Sequence, residues 1–240
     1  GPATAVGVDA ATVVVAARGV LAIRLPKATG SAGSLRWPDY VAGLRFLWAM
    51  PVLRALTVLL SVQTFVILGV TDLLIFHLRH DLGQPAPGVG YVRTAASAGS
   101  LVAGICVGRL RRRFGFAVCW IGSGVFAGVV VAALGNAQSA VLVAVLAAGF
   151  AGSTTIGGTC SMSLRQEITP AHLLGRVTAA FWTSHYLLGP LGAAVLTAVA
   201  GRYSVAEVCL VAGVVLAGSA LAGLGTAIAA PRRPAASRLP

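Results

Sequence analysis

Residues 108–115 read Gly-Arg-Leu-Arg-Arg-Arg-Phe-Gly, and a long apolar run abuts them on each side. No guanidinium can be left in hydrocarbon without a large electrostatic cost. Four of them between two apolar runs therefore point to a short turn joining two membrane spans. The excess of basic residues on cytoplasmic loops places that turn on the inner side, which fixes the direction of every other span. Composition agrees. The chain is 57% hydrophobic and only 10% charged, whereas a soluble domain carries about 25% charged residues. A net charge of +12 would suggest nucleic acid in a soluble protein. Here the basic residues lie mostly between apolar runs, so lipid headgroups and topology account for them, and no nucleic-acid partner is expected.

A helix needs about 20 apolar residues to cross roughly 30 Å of hydrocarbon. Seven stretches qualify, at residues 3–23, 51–78, 89–107, 116–134, 140–162, 177–200 and 205–230. The expected fold is all-α, a polytopic membrane protein of about seven transmembrane helices. Residues 1–25 hold the first helix and 26–50 a cytoplasmic linker with an aromatic interfacial helix near 41–49. A six-helix bundle follows at 51–231, then a cytoplasmic tail at 232–240. Residues 77–88 read as a loop from their Pro/Gly punctuation. The side of the arginine turn holds Arg24, Lys27, Arg36, Arg45, Arg54, Arg109, Arg111, Arg112, Arg113, Arg165, Arg176, Arg232, Arg233 and Arg238. The other side holds Arg79, Arg93 and Arg202. Fourteen against three puts the N-terminus outside and the C-terminus in the cytoplasm. The runs are continuous and not dyad-patterned, which excludes a β-barrel. Lys27 is the one lysine among abundant Ala, Gly, Val and Arg, a bias of GC-rich bacterial genomes. The expected location is a bacterial cell membrane.

Ala96, Ser100, Gly104 and Gly108 recur every four residues, a small-residue stripe that lets helices approach closely in lipid. Gly157-Gly158 and Gly189-Pro190 are the expected bends, since proline removes a helix hydrogen bond.

Three blocks carry a family resemblance. Gly108, Leu110, Arg113 and Gly115 match the loop motif of the major facilitator superfamily, glycine–x–leucine–alanine–aspartate–arginine–x–glycine–arginine–arginine. Arg112 stands where that motif has aspartate and Phe116 where it has arginine, a departure that bears on the motif's role as a conformational lock. Residues 165–177, with 189–192 after them, resemble the loop between helices ten and eleven of the drug-efflux branch typified by macrolide and siderophore exporters. Val8-Asp9-Ala10 before an apolar run ending at Pro26 is similar to helix six of that branch. The resemblance implies helix six plus the C-terminal six-helix bundle of a twelve-helix transporter, with the N-terminal half missing as a partner. It also implies a small amphipathic substrate and a coupling proton.

Polar groups within spans mark function because the membrane penalises them. Asp72 and Arg93 stand at matching depth in consecutive spans, an expected pair that would serve as a structural tie or as a gate. His185, beside Thr183, Ser184 and Tyr186, is a candidate proton relay or substrate donor, or else a packing histidine. Gln63 and Thr64 are candidate cavity liners. Asp9 is a pathway candidate or a local cap, and Glu207 a pathway candidate or a group reaching headgroup water. Cys106, Cys119, Cys160 and Cys209 are scattered singly, without metal or redox spacing. No metal or cofactor is expected. No hydrolase or phosphate-binding motif is present, so the chain does not read as an enzyme. The leading class is a secondary active exporter that rocks one helix bundle against another. A seven-helix receptor or sensor and an inactive truncated transporter remnant are the alternatives, although a retinal-type receptor would want a lysine that 205–230 lacks.

Overall fold

The computed structural model describes residues 37–228 together with Val13, Val14, Ala17 and Arg18. The chain divides into two units, Gly1–Arg36 and Trp37–Pro240, and the second holds the bundle. Asp9, most of the expected first span and the C-terminal tail lie outside the described residues.

Helix α1 (Trp37–Ala49) carries Asp39 in its first turn, where a carboxylate meets the positive end of the helix. It begins at Trp37, four residues ahead of the expected interfacial stretch. Met50 is extended because Pro51 follows it, and Pro51 opens α2 (Pro51–Phe76). The helix then passes into a π-turn, His77–Asp81, so the expected loop starts later than its punctuation suggests.

Helix α3 (Ala86–Leu134) departs most from expectation. Its 49 residues would make a rod of about 74 Å, over twice the hydrocarbon thickness. The helical course breaks at Gly115, whose φ of 79° and ψ of 174° lie in a region that only glycine adopts without strain. The two limbs, 86–114 and 116–134, fold back on each other. Gly99 of the first limb meets Ala148 of the following helix, and Phe126 and Val130 of the second meet its next residue, Gly149. The arginine stretch is therefore not a loop. Its four arginines ride on the last turns of the first limb, and the turn is one residue long.

Helix α4 (Ala140–Ile168) is capped by Ser139, whose hydroxyl oxygen accepts from the Leu142 N–H at 3.2 Å. It runs unbroken through Gly157-Gly158, where the sequence suggests a bend: a glycine pair permits a kink but deletes no hydrogen bond. The expected 177–200 span is split into α5 (Leu174–Tyr186) and α6 (Gly189–Ala200), with the break at Gly189-Pro190 as expected. Helix α7 (Val205–Ala222) ends in a 3₁₀ turn, Gly223–Gly225.

Among the described residues the protein is all-helical, with no strand. Five stretches are long and apolar enough to cross a membrane: Pro51–Asp81, Ala86–Leu134, Ala140–Ile168, Leu174–Ala200 and Val205–Gly225. Counting the two limbs of α3 separately makes six. Large apolar side chains such as Tyr91, Val141 and Leu187 point outward, as a surface bathed in lipid allows.

Paired glycines mark three helix crossings. The first limb of α3 meets α4 at Gly99 and Gly152, the second limb meets α7 at Gly128 and Gly213, and α2 meets α6 at Gly69 and Gly192. At each, a Cβ would press on the facing helix, so small residues let the backbones approach. The stripe read from sequence is only partly used. Ser100 donates to the Ala151 carbonyl at 3.3 Å, but Gly104 faces open space. Each four-residue step turns about 40° around a helix of 3.6 residues per turn, so the stripe winds off the contact face. Val92, Gly99, Ala103 and Val107 hold that face instead.

Candidate functional site

A polar centre forms where α2, α4 and α5 meet, framed by Leu56, Leu60, Trp120, Leu164 and Phe181. Helix α2 brings Thr64 to it from mid-helix and α5 brings His185 from its last turn, while the neighbouring Gln63 reaches toward Gly124 on the second limb of α3. Thr64 Oγ1 lies 2.5 Å from His185 Nε2, and the tautomer decides which of the two donates. Both residues are buried. Two of the sequence candidates are thus brought into direct contact across helices.

One turn before His185, Phe181 stacks on its ring with centroids 5.2 Å apart, and Trp182 meets it edge-on at 5.7 Å. Phe181 also carries the guanidinium of Arg165, 3.5 Å from its centroid, with the Trp182 ring at 5.3 Å. Sequence reasoning places Arg165 among the loop cations. The structure instead leaves it 1% exposed inside α4. Pro170 is the signal that could have found it: the helix must end just before proline, which puts Arg165 within its last turns.

No carboxylate among the described residues pairs with Arg165. Asp39 pairs with Arg176 at 2.9 Å, Asp81 with His77 at 2.8 Å, and Glu167 with Arg111. Arg165 Nη2 donates to Met162 Sδ at 3.2 Å, while Nε and Nη1 have no partner among the described residues. Gln63 Nε2 and Ser161 Oγ are buried and unpartnered as well. A buried guanidinium without a counter-charge is strongly disfavoured. The negative C-terminal end of α4 and the ring faces compensate it in part. The two unpartnered Arg165 nitrogens both donate, so the centre is made to receive hydrogen-bond acceptors from water or a ligand.

The remaining candidates scatter. Asp72 and Arg93 are both exposed, and neither forms an ion pair with the other or with any described residue. The reason is packing order: α2 lies against α6 and α7, and the first limb of α3 against α4, so these two successive spans scarcely touch. Glu207 completes a capping box on α7, its carboxylate accepting from the Ser204 N–H at 3.0 Å while Ser204 Oγ accepts from the Glu207 N–H at 3.3 Å. Of the loop-motif residues, Gly115 makes the turn and Leu110 packs on the core. Arg113 stands over the Phe114 ring at 5.5 Å, and Gly108 is exposed. Among the described residues no three His, Cys, Asp or Glu side chains gather as a metal would require. A comparison with known protein families finds none that matches this chain, and no curated protein shows significant similarity to it.

Proposed function

We propose that this bundle is the working half of a secondary active transporter that exports small amphipathic molecules. The observation that carries the reading is the Arg165–Phe181–His185–Thr64 array, a charged and hydrogen-bonding centre with unpartnered donors inside helices fit to span a membrane. Such groups are strongly disfavoured in a purely structural bundle and are the normal equipment of a transport pathway. The aromatic faces suit the apolar body of a substrate and the donors its polar end.

In this reading the six spans are helices seven to twelve of a major-facilitator-type transporter, with residues 1–25 as helix six and the C-terminus cytoplasmic. His185 is the coupling group, because imidazole is the one side chain here that ordinarily changes charge near neutral pH. The substrate would lie between this half and a second one. Disrupting the chromosomal gene that encodes these residues should raise steady-state accumulation of amphipathic fluorescent dyes, and a protonophore should abolish the difference. Complementation with His185→Ala or Arg165→Gln should leave accumulation high. Unchanged accumulation across a broad panel of dyes and drugs would refute the proposal.

A further inference from the structure

The four arginines of residues 109–113 are not equivalent. Arg111 is committed to Glu167. Arg112 turns back toward Gly108 and lines a hollow shared with Thr159 and Ser163. Arg109 and Arg113 are exposed, one helical turn apart, and enter no ion pair with a described residue. Arg113 stands over Phe114. Phe114 in turn lines a groove of about 1160 Å³ between the two limbs of α3 and α4, together with Leu110, Val118, Gly122 and Val145. The groove extends along the helix from Gly88 to Phe114, a rise of about 39 Å, so it runs through the full depth of the hydrocarbon.

We infer that this groove and the Arg109–Arg113 pair form one site for an acidic phospholipid. Its phosphate lies between the two guanidiniums, and an acyl chain lies along Leu110, Phe114 and Val118. Charge complementarity selects the occupant. The groove wall is almost wholly apolar and would hold a chain but no soluble anion, while Arg113 stands over Phe114 where the groove ends on this limb and Arg109 lies one turn away on the same helix. A zwitterionic lipid would bring its own cation to that end. Each arginine near a phosphate is worth about fivefold in affinity, which separates a resident lipid from freely exchanging neighbours.

The test is native mass spectrometry of the chain released from detergent micelles doped with equal dioleoyl phosphatidylglycerol and dioleoyl phosphatidylcholine. One phosphatidylglycerol should be retained in preference to phosphatidylcholine. Arg109→Gln and Arg113→Gln should each lower its retention about fivefold, and Arg112→Gln should do so much less. Gly122→Phe fills the groove without touching the charges, since open space faces its Cβ, and should expel the lipid. Val145→Trp serves as a second plug, and circular dichroism verifies that each variant is folded. Equal retention of the two lipids, or arginine variants without effect, would overturn the inference. Loss in the arginine variants but not in the plugged ones would also overturn it, because headgroup attraction alone would then suffice. So would full displacement by inorganic phosphate.

Discussion

Replacing Gly115 by alanine isolates a backbone effect with almost no packing contribution. A Cβ at Gly115 meets nothing within 4 Å, so the added methyl neither clashes nor fills a void. What it does meet is its own chain. With φ at 79° and ψ at 174°, the residue sits where side-chain-bearing residues pay about 1–3 kcal/mol. Gly122 supplies the control. It too has nothing within 4 Å of its Cβ, but it lies in helix interior, where alanine is favoured over glycine by about 0.5–1 kcal/mol. The same three atoms of hydrogen and one of carbon, seven residues apart on one element, should act with opposite sign. The two variants should differ by roughly 1.5–4 kcal/mol. Reversible unfolding in mixed micelles titrated with dodecyl sulfate, followed by circular dichroism, measures both. If Gly115→Ala matches Gly122→Ala to within about 0.5 kcal/mol, the limit of additivity for such comparisons, the turn does not need a positive φ and the one-residue hairpin is wrong.

Four further outcomes are expected. Gly213→Leu drives a side chain into Gly128 and Ala132 and should destabilise the bundle by about 3 kcal/mol, whereas Gly218→Leu, which faces open space, should be tolerated; micellar unfolding compares them. A double-mutant cycle of Thr64→Val with His185→Phe should return a coupling of about 0.6–1.7 kcal/mol, the range for side-chain hydrogen bonds between membrane helices. Ser204→Ala removes one arm of the α7 capping box and should lower stability by about 1 kcal/mol in the same assay. On a background lacking the four native cysteines, an impermeant maleimide added outside cells should label a cysteine at Gln138 and spare one at Arg112; the reverse would invert the orientation.

The apolar runs made the spans legible because length and hydropathy are properties of a segment alone. The break at Pro190 was legible for a similar reason: a missing N–H is local chemistry. Neighbour relations were not. Asp72 and Arg93 match in depth, yet α2 packs on α6 and α7 rather than on the helix that follows it, and nothing in the order of the spans records this. Arg165 was lost because a cation near the end of an apolar run reads as a loop residue, and its stack on Phe181 depends on an aromatic sixteen positions away. The pairing of Thr64 with His185 spans 121 positions and is likewise invisible without the fold. Gly115 sat in plain view beside the arginines. Sequence alone does not say that it would make the whole turn, since a loop of several residues would satisfy the same pattern.

The break between α5 and α6 has a consequence for the backbone beside the imidazole. Pro190 has no N–H, so the carbonyl of Tyr186, four residues earlier, loses the donor that a continuous helix would give it. Ser184, the nearest hydroxyl in sequence, is already spent on the Ala180 carbonyl at 2.9 Å. In hydrocarbon a bare carbonyl costs several kcal/mol, so such a break is tolerated where a neighbouring N–H, a hydroxyl or water makes up the bond. That carbonyl belongs to the residue next to His185. The same proline that interrupts the helix thus sets, beside the imidazole, a backbone acceptor without its regular helical partner, a place suited to receive a water or the donor of a substrate.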